Sequence, residues 1–302
     1  MALMKLHIRK WAASIVRSYP WIPAAATLAA VVGLTASAVT RVDSLWVLGL
    51  AAVLVFSSFV WGYSARLRRR VTWPSLDYLQ RRQYAEVWDA LATSPWRARA
   101  VACGEQEEVG VRNSASIPIK HLRELAPVSS QDDILEIGCG VGRIGFGLAP
   151  YCRTWTGTDM SANMLGVASE RLQDRTNVRL VQLHQVGLNE LESSSFDLVY
   201  STNTFAHLDE MDRWRYVADA FRLLRPAGRL FIDNVDLESD LGWQTFAEGT
   251  PSSQHLERPP YVPRLSTAAE LTTYAVRAGF EQVQTHRRPP LVIITAVKPS
   301  HL

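Results

Sequence analysis

The stretch "ILEIGCGVGRIG" (134–145) concentrates the residues whose types and spacing could do chemistry. Gly140, Gly142 and Gly145 fit G-x-G-x-x-G, while Gly138, Gly140 and Gly142 fit G-x-G-x-G, with Glu136 two residues upstream. Glycines between a strand and a helix let the backbone come close to a ligand and offer it the helix's first N–H groups. The glycines alone do not choose between a nicotinamide dinucleotide and another adenosine ligand. Asp159 lies 17 residues past Gly142. A carboxylate at the end of a second strand can accept both ribose hydroxyls in either case.

Charge favours the second option. A carboxylate at Glu136 repels a pyrophosphate and tolerates a cation. Only Arg143 lies in the loop to meet phosphate charge. His207, in "FAHL", is a candidate general base, although a lone His is more often structural. His184, His255, Asp233 and Asp236 are further candidates. Cys103, Cys139 and Cys152 have no paired metal-type spacing, so neither a metal site nor a disulfide framework is expected.

These residues need a scaffold. From 117 onward helix and strand signals alternate, which argues for a parallel sheet with helices on its faces. Strands are expected at 133–138, 154–159, 177–183, 196–202 and 229–235. Helices are expected between them at 143–152, 161–175 with Ser161 as N-cap, and 209–228 with Asp209 as cap. In the last of these, Trp214, Val217, Phe221 and Leu224 form the expected buried stripe. Thr267 and Glu270 suggest a capping box for a helix at 268–278 closed by Gly279. Two final strands, 280–286 and 291–298, are joined by "RRPP", which permits a hairpin and excludes a helical crossover, so the sheet should end antiparallel.

The chain resembles the class I S-adenosylmethionine-dependent methyltransferases. The resemblance rests on "ILEIGCGVGRIG", "GTDMSANML", "SFDLVYSTNTFAHL", "AFRLLRPAGRLFI" and "ELTTYAVRAGF", in that order, over about 115–302. It implies an α/β, Rossmann-like, doubly wound, mostly parallel seven-stranded sheet with an antiparallel last strand. It implies S-adenosyl-L-methionine as cofactor, with Glu136, Gly138, Gly140 and Gly142 around its methionine part. Asp159 would take the ribose hydroxyls and Met160 would pack on the adenine. Ser201 and Asn203 would line the methyl-transfer side. Many relatives carry an Asp after the third strand that binds the adenine amine; this chain has "LVQLHQVGLNEL", with His184 or Gln185 near that place, and a Gln185 or main-chain contact would substitute. The fourth-strand end lacks an Asn/Asp-Pro-Pro-aromatic run, which weighs against methylation of nucleic acid bases.

The front of the 302-residue chain differs from the rest. Residues 1–73 hold nine Lys/Arg and one acid, Asp43, whereas 74–302 hold 23 basic and 28 acidic residues. The mildly acidic remainder has no basic stripe for nucleic acid. Residues 21–39 and 44–63 carry no charge, and each is near the ~20 residues that span a bilayer core. Four residues separate them, so they should pair as an antiparallel hairpin. Basic clusters before the first run and after the second place both termini and the catalytic domain in the cytoplasm.

The expected organisation is therefore a membrane anchor (1–73), a juxtamembrane linker with a helix suited to a lid (74–115), and a cofactor-binding domain (116–302). Within the linker, 75–95 reads as one helix stopped by Pro95, and 104–116 as a loop. The insert 237–265 is irregular, and its Trp243, Phe246, Tyr261 and Val262 could wall an apolar pocket. A bilayer, a hydrophobic acceptor dissolved in it and a membrane protein complex are the expected partners.

Overall fold

The computed structural model describes residues 83–249 and 260–301. The two apolar runs, their basic flanks and His255 lie outside the described residues. No helix among the described residues is long and apolar enough to cross a membrane.

Seven strands form one sheet: β1 (Asp133–Ile137), β2 (Thr154–Asp159), β3 (Val178–Gln182), β4 (Phe196–Ser201), β5 (Leu224–Val235), β6 (Glu281–Arg288) and β7 (Leu291–Val297). Their order is β3-β2-β1-β4-β5-β7-β6. The first five run parallel, and β7 alone is reversed, pairing antiparallel with both β5 and β6. Nine α-helices are described: α1 (Tyr84–Leu91), α2 (Pro95–Cys103), α3 (Glu108–Ser114), α4 (Ser116–Leu125), α5 (Arg143–Leu148), α6 (Ala162–Leu172), α7 (Glu210–Leu223), α8 (Asp240–Gly249) and α9 (Ala268–Ala278).

The period of two along each strand divides the core between the two sheet faces. Leu135, Ile137, Val199, Leu230 and Ile232 pack with Val217, Ala220 and Leu223 of α7 and with Leu271 and Ala275 of α9. Ile134, Trp155, Leu198, Tyr200 and Phe231 pack with Leu122 of α4 and with Ile144 and Leu148 of α5. The caps match their sequence signals at two sites. Ser161 Oγ accepts the Met164 N–H at the start of α6, and Thr267 Oγ1 accepts the Glu270 N–H at the start of α9.

Several local expectations are corrected. Within the expected helix 75–95, α1 ends at Leu91, and Pro95 opens α2 rather than stopping a helix; proline is well placed in a first turn, where its missing N–H costs nothing. Residues 104–116 are not a loop, since α3 lies inside them and α4 begins at Ser116. Its Glu108 carboxylate holds Arg171 of α6 at 2.7 Å, a tertiary contact no periodicity encodes. In α7 the buried face is Arg213, Tyr216, Val217, Ala220 and Leu223, while Trp214 is exposed. The stripe is rotated because Asp212, Arg213 and Asp219 are buried with partners. Asp209 is the N-cap residue of α7, but its side chain makes no cap bond and pairs with Arg264. β5 starts at Leu224, five residues earlier than expected.

Candidate active site

The carboxyl ends of β1, β2 and β4 open into one cleft, the place where doubly wound sheets bind ligands. Its empty volume, counted out to the open mouth, is about 880 Å³. Its floor is the glycine loop after β1. Gly138, Gly140 and Gly142 all have positive φ (70°, 51° and 71°). At Gly138 the chain passes so close to the loop after β4 that a Cβ would lie 2.3 Å from Thr204 Oγ1. That hydroxyl lies 3.2 Å from both the Ile137 and Gly138 carbonyls, tying the two loops together. At Gly140 an added side chain would point into open space beside Ala102, 3.7 Å away.

Two carboxylates flank the floor. Asp159 ends β2 and accepts the Gly140 N–H (2.8 Å) and the Ser161 N–H (2.9 Å). Burial raises its pKa against these bonds. Glu136, in β1, is 2 % exposed. Burial pushes its carboxyl up to about 8, opposed by the Tyr200 hydroxyl and by Arg143. Asp233, in β5, is also buried and pushed up to about 7 by desolvation; it accepts the Asn203 N–H at 2.8 Å. Glu136 and Asp159 line the cleft, whereas Asp233 stands behind Asn203 and does not; acidic walls have the electrostatics to take up a cationic ligand.

The roof comes from helices before the sheet. Tyr84 of α1 donates to Asp212 of α7 at 2.6 Å. Asp89, at the other end of α1, accepts from Ser161 Oγ at 2.5 Å and from the Asn163 N–H at 3.1 Å. So α1 bridges α6 and α7 as a strap, and Trp88 between those anchors lines the cleft. Trp88 meets His207 edge-on, with ring centroids 4.8 Å apart. His207 Nδ1 lies 2.9 Å from the Pro260 carbonyl. A carbonyl only accepts, so Nδ1 carries the hydrogen and the neutral ring has its lone pair on Nε2.

The cleft thus gathers Glu136, Gly138, Gly140, Asp159, Met160, Asn203 and His207. Three residues expected at the site do not line it. Gly142 faces α6 instead, where a Cβ would meet Leu172 and Ala168 at 3.0 and 3.1 Å. Ser201 is fully buried and donates to the Ile137 carbonyl between strands. Gln185 is exposed, and Leu183 takes the lining position two residues earlier. Asp236 is engaged by Arg287 and caps Glu238, away from the cleft. His184 is exposed outside it. Trp243 does not wall the pocket: it sits 60 % exposed on α8. Sequence reasoning missed Tyr84, Trp88, Val101 and Ala102, all on α1 and α2. For Trp88 the signal was the apolar spacing Val87, Trp88, Leu91 in the helix suited to a lid; Val101 and Ala102 carried none.

Residues 134–228 match the family model described as "Methyltransferase domain". Over these residues the chain carries a methyltransferase domain, similar to those of the class I S-adenosylmethionine-dependent enzymes. Methyltransferase GfsG of Streptomyces halstedii is 30% identical over 128 residues, 40% of this chain and 44% of that protein. Sterol 4-C-methyltransferase strm-1 of Caenorhabditis elegans is 22% identical over 160 residues, 51% of this chain and 46% of that protein. The chain therefore spans less than half the length of these curated relatives. Among solved structures, phosphoethanolamine N-methyltransferase 2 of Haemonchus contortus, in complex with phosphomonomethylethanolamine and S-adenosylhomocysteine, shares the methyltransferase fold: TM-score 0.56, 18% identity, 73% of this chain and 61% of that one. The methyltransferase cofactor fits the residues present. Gly140 leaves open space that a side chain would fill, and Glu136 and Asp159 are acceptors suited to an ammonium or sulfonium and to ribose hydroxyls.

Proposed function

We propose that the chain is a membrane-anchored S-adenosylmethionine-dependent methyltransferase whose acceptor is a hydrophobic, membrane-associated molecule: a lipid, quinone, polyprenoid or pigment. The observation that carries the methyl-transfer part is the cleft, in which buried Glu136 and half-buried Asp159 flank the glycine loop after β1, beside the carboxyl end of β2. The acceptor class is supported by the uncharged runs 21–39 and 44–63, read as a hairpin with the domain on the cytoplasmic side. A relative that acts on a sterol supports the same class.

Bound here, the cofactor supplies a methyl group already activated by its sulfonium for in-line displacement. The chain's own residues align and enclose. Gly138, Gly140 and Glu136 hold the methionine part, Asp159 the ribose, and Met160 packs on the adenine. Trp88 and the α1 strap exclude water over the reacting centre, and a nucleophile must be aligned to about 3–3.5 Å. His207 lines the cleft and is the candidate to take a proton from a hydroxyl acceptor.

The test uses membranes containing the full chain and methyl-labelled S-adenosylmethionine, with Gly140→Arg as the blocked control. Loop-dependent label in the organic extract supports the reading. Label confined to soluble or protein fractions moves the acceptor to a soluble or protein partner held at a membrane complex. No loop-dependent label anywhere leaves a non-catalytic assembly role.

A further inference from the structure

One line of buried side chains, from Trp155 of β2 through Tyr200 of β4 to Glu136 of β1, leads to the cleft. In the register of the sheet, Glu136 of β1 lies beside Gly157 of β2 on one side and beside Tyr200 of β4 on the other. Trp155 sits two residues before Gly157, so their side chains share a face. Gly157 has no side chain, and the indole occupies that space: a Cβ there would lie 2.3 Å from the ring. Gly145 of α5 is kept bare for the same indole, with a Cβ position 2.4 Å from it. The third glycine of the G-x-G-x-x-G spacing therefore serves Trp155 and not a ligand.

Through that space Trp155 Nε1 donates to Tyr200 Oη at 2.9 Å, and Tyr200 Oη donates to Glu136 Oε2 at 2.7 Å. All three residues are buried, and Glu136 lines the cleft. The indole N–H occupies a lone pair of the phenol oxygen, which turns the phenol hydrogen toward the carboxylate.

We propose that Trp155 and Tyr200 are positioning residues of the cofactor site: their hydrogen-bonded line orients the Glu136 carboxyl toward the cleft, and capture of the cationic cofactor drives its proton out to solvent. The proposal rests on the methyltransferase reading above. The charged and titratable groups facing Glu136 are Tyr200 from β4, Arg143 from α5, Asp159 from β2, Asp233 from β5 and Cys139 from its own loop. Arg143 and the Tyr200 hydrogen bond favour the anion; burial and the two aspartates oppose it. Without a ligand, opposition wins and the carboxyl titrates near 8. A cation placed against it reverses the balance. No covalent bond changes: one O–H proton passes to buffer as the ammonium or sulfonium becomes the counter-charge.

The experiment is calorimetric titration of the full chain in detergent with S-adenosylmethionine, at pH 6 to 9, in buffers of different ionisation enthalpy. Glu136→Gln serves as reference, because its subtraction removes the titration of the ligand's own amine. Wild type should release close to one proton more than Glu136→Gln at pH 7, falling toward zero by pH 9. Tyr200→Phe removes a hydrogen bond to a charged group, so its affinity should be about ten- to a hundred-fold weaker at pH 6–7. That deficit should shrink as pH rises past 8, where the wild-type carboxyl is already ionised while the variant's, deprived of the hydrogen bond that favours the anion, still titrates. Trp155→Phe, which keeps an aromatic ring and loses the indole N–H, should shift the profile the same way by less. A deficit in Tyr200→Phe that is the same at every pH, or a wild-type proton count equal to that of Glu136→Gln, overturns the line of positioning residues while leaving the cofactor reading intact. Absence of binding by wild type at every pH overturns the cofactor reading and this proposal together.

Discussion

Arg213 offers the sharpest test of how the site is held. It sits in the first turn of α7 with its side chain 3 % exposed. Its guanidinium donates to the Phe205 carbonyl (2.9 Å), the Arg264 carbonyl (2.6 Å), Ser266 Oγ (2.7 Å) and Glu270 Oε1 (2.9 Å). Those partners belong to three segments: the 3-10 turn Phe205–His207, the strand-like stretch 264–266, and the first turn of α9. Arg213→Ala takes one charged donor from each of these four acceptors, leaving the Phe205 carbonyl only the Leu208 N–H, the Arg264 carbonyl and Ser266 Oγ only Asn234, and Glu270 Oε1 only Tyr274. Summing four charge-assisted bonds would overstate the loss, because water enters and side chains relax. Removal of one partner from a buried ion pair typically costs about 3–5 kcal/mol. A domain of this size has roughly 5–15 kcal/mol in total, so a large share would go. At 2–4 °C per kcal/mol, the melting temperature should fall by roughly 6–20 °C. The assay is thermal unfolding of the full chain in detergent, followed by tryptophan fluorescence. Arg213→Lys keeps the charge but cannot fork to two carbonyls, so it should fall between wild type and Ala. A drop below about 2 °C for Arg213→Ala would refute the reasoning, since a cost under about 1 kcal/mol is that of a solvated surface pair.

Three further outcomes are expected. Gly145→Ala places a methyl 2.4 Å from the Trp155 ring and should cost about 1–3 kcal/mol by overpacking, read in the same melting experiment. Ser161→Ala removes the α6 N-cap and the hydroxyl held by Asp89, so stability should fall by about 1 kcal/mol and amide exchange should rise across α1 before it rises in the sheet. Glu136 holds its proton more tightly when folded, near 8 against the ordinary 4.5, so without ligand its contribution is full below pH 4.5 and is lost as pH rises toward 8. Asp233 acts in the same direction up to about 7. Urea unfolding at pH 7 and 8 should show stability falling with pH in wild type and a flatter line in Glu136→Gln; equal slopes would remove the linkage.

The sequence by itself determined the α/β order, the reversed strand near the end and the loop at 138–142, because each is written in local chemistry. Alternating apolar residues mark β1, β2 and β4 wherever they end up, and "RRPP" between two strands leaves room only for a hairpin. Glu136 and Asp159 were legible for the same reason: each is a carboxylate fixed relative to a strand end. Tertiary structure decided what no short window contains. Tyr84, Trp88 and Val101 reach the cleft only because Asp89 and Tyr84 anchor α1 to α6 and α7, contacts between residues at least 72 positions apart. The buried face of α7 turned because Arg213 and Asp219 found carbonyl and amide partners, which outweighed the hydrophobicity of Trp214. The glycines were visible as a spacing, yet their duties separated only in three dimensions: Gly138 makes way for Thr204, Gly142 for α6 and Gly145 for an indole from another strand. Spacing records which residues lack a side chain; the neighbour that needs the space comes from elsewhere in the chain.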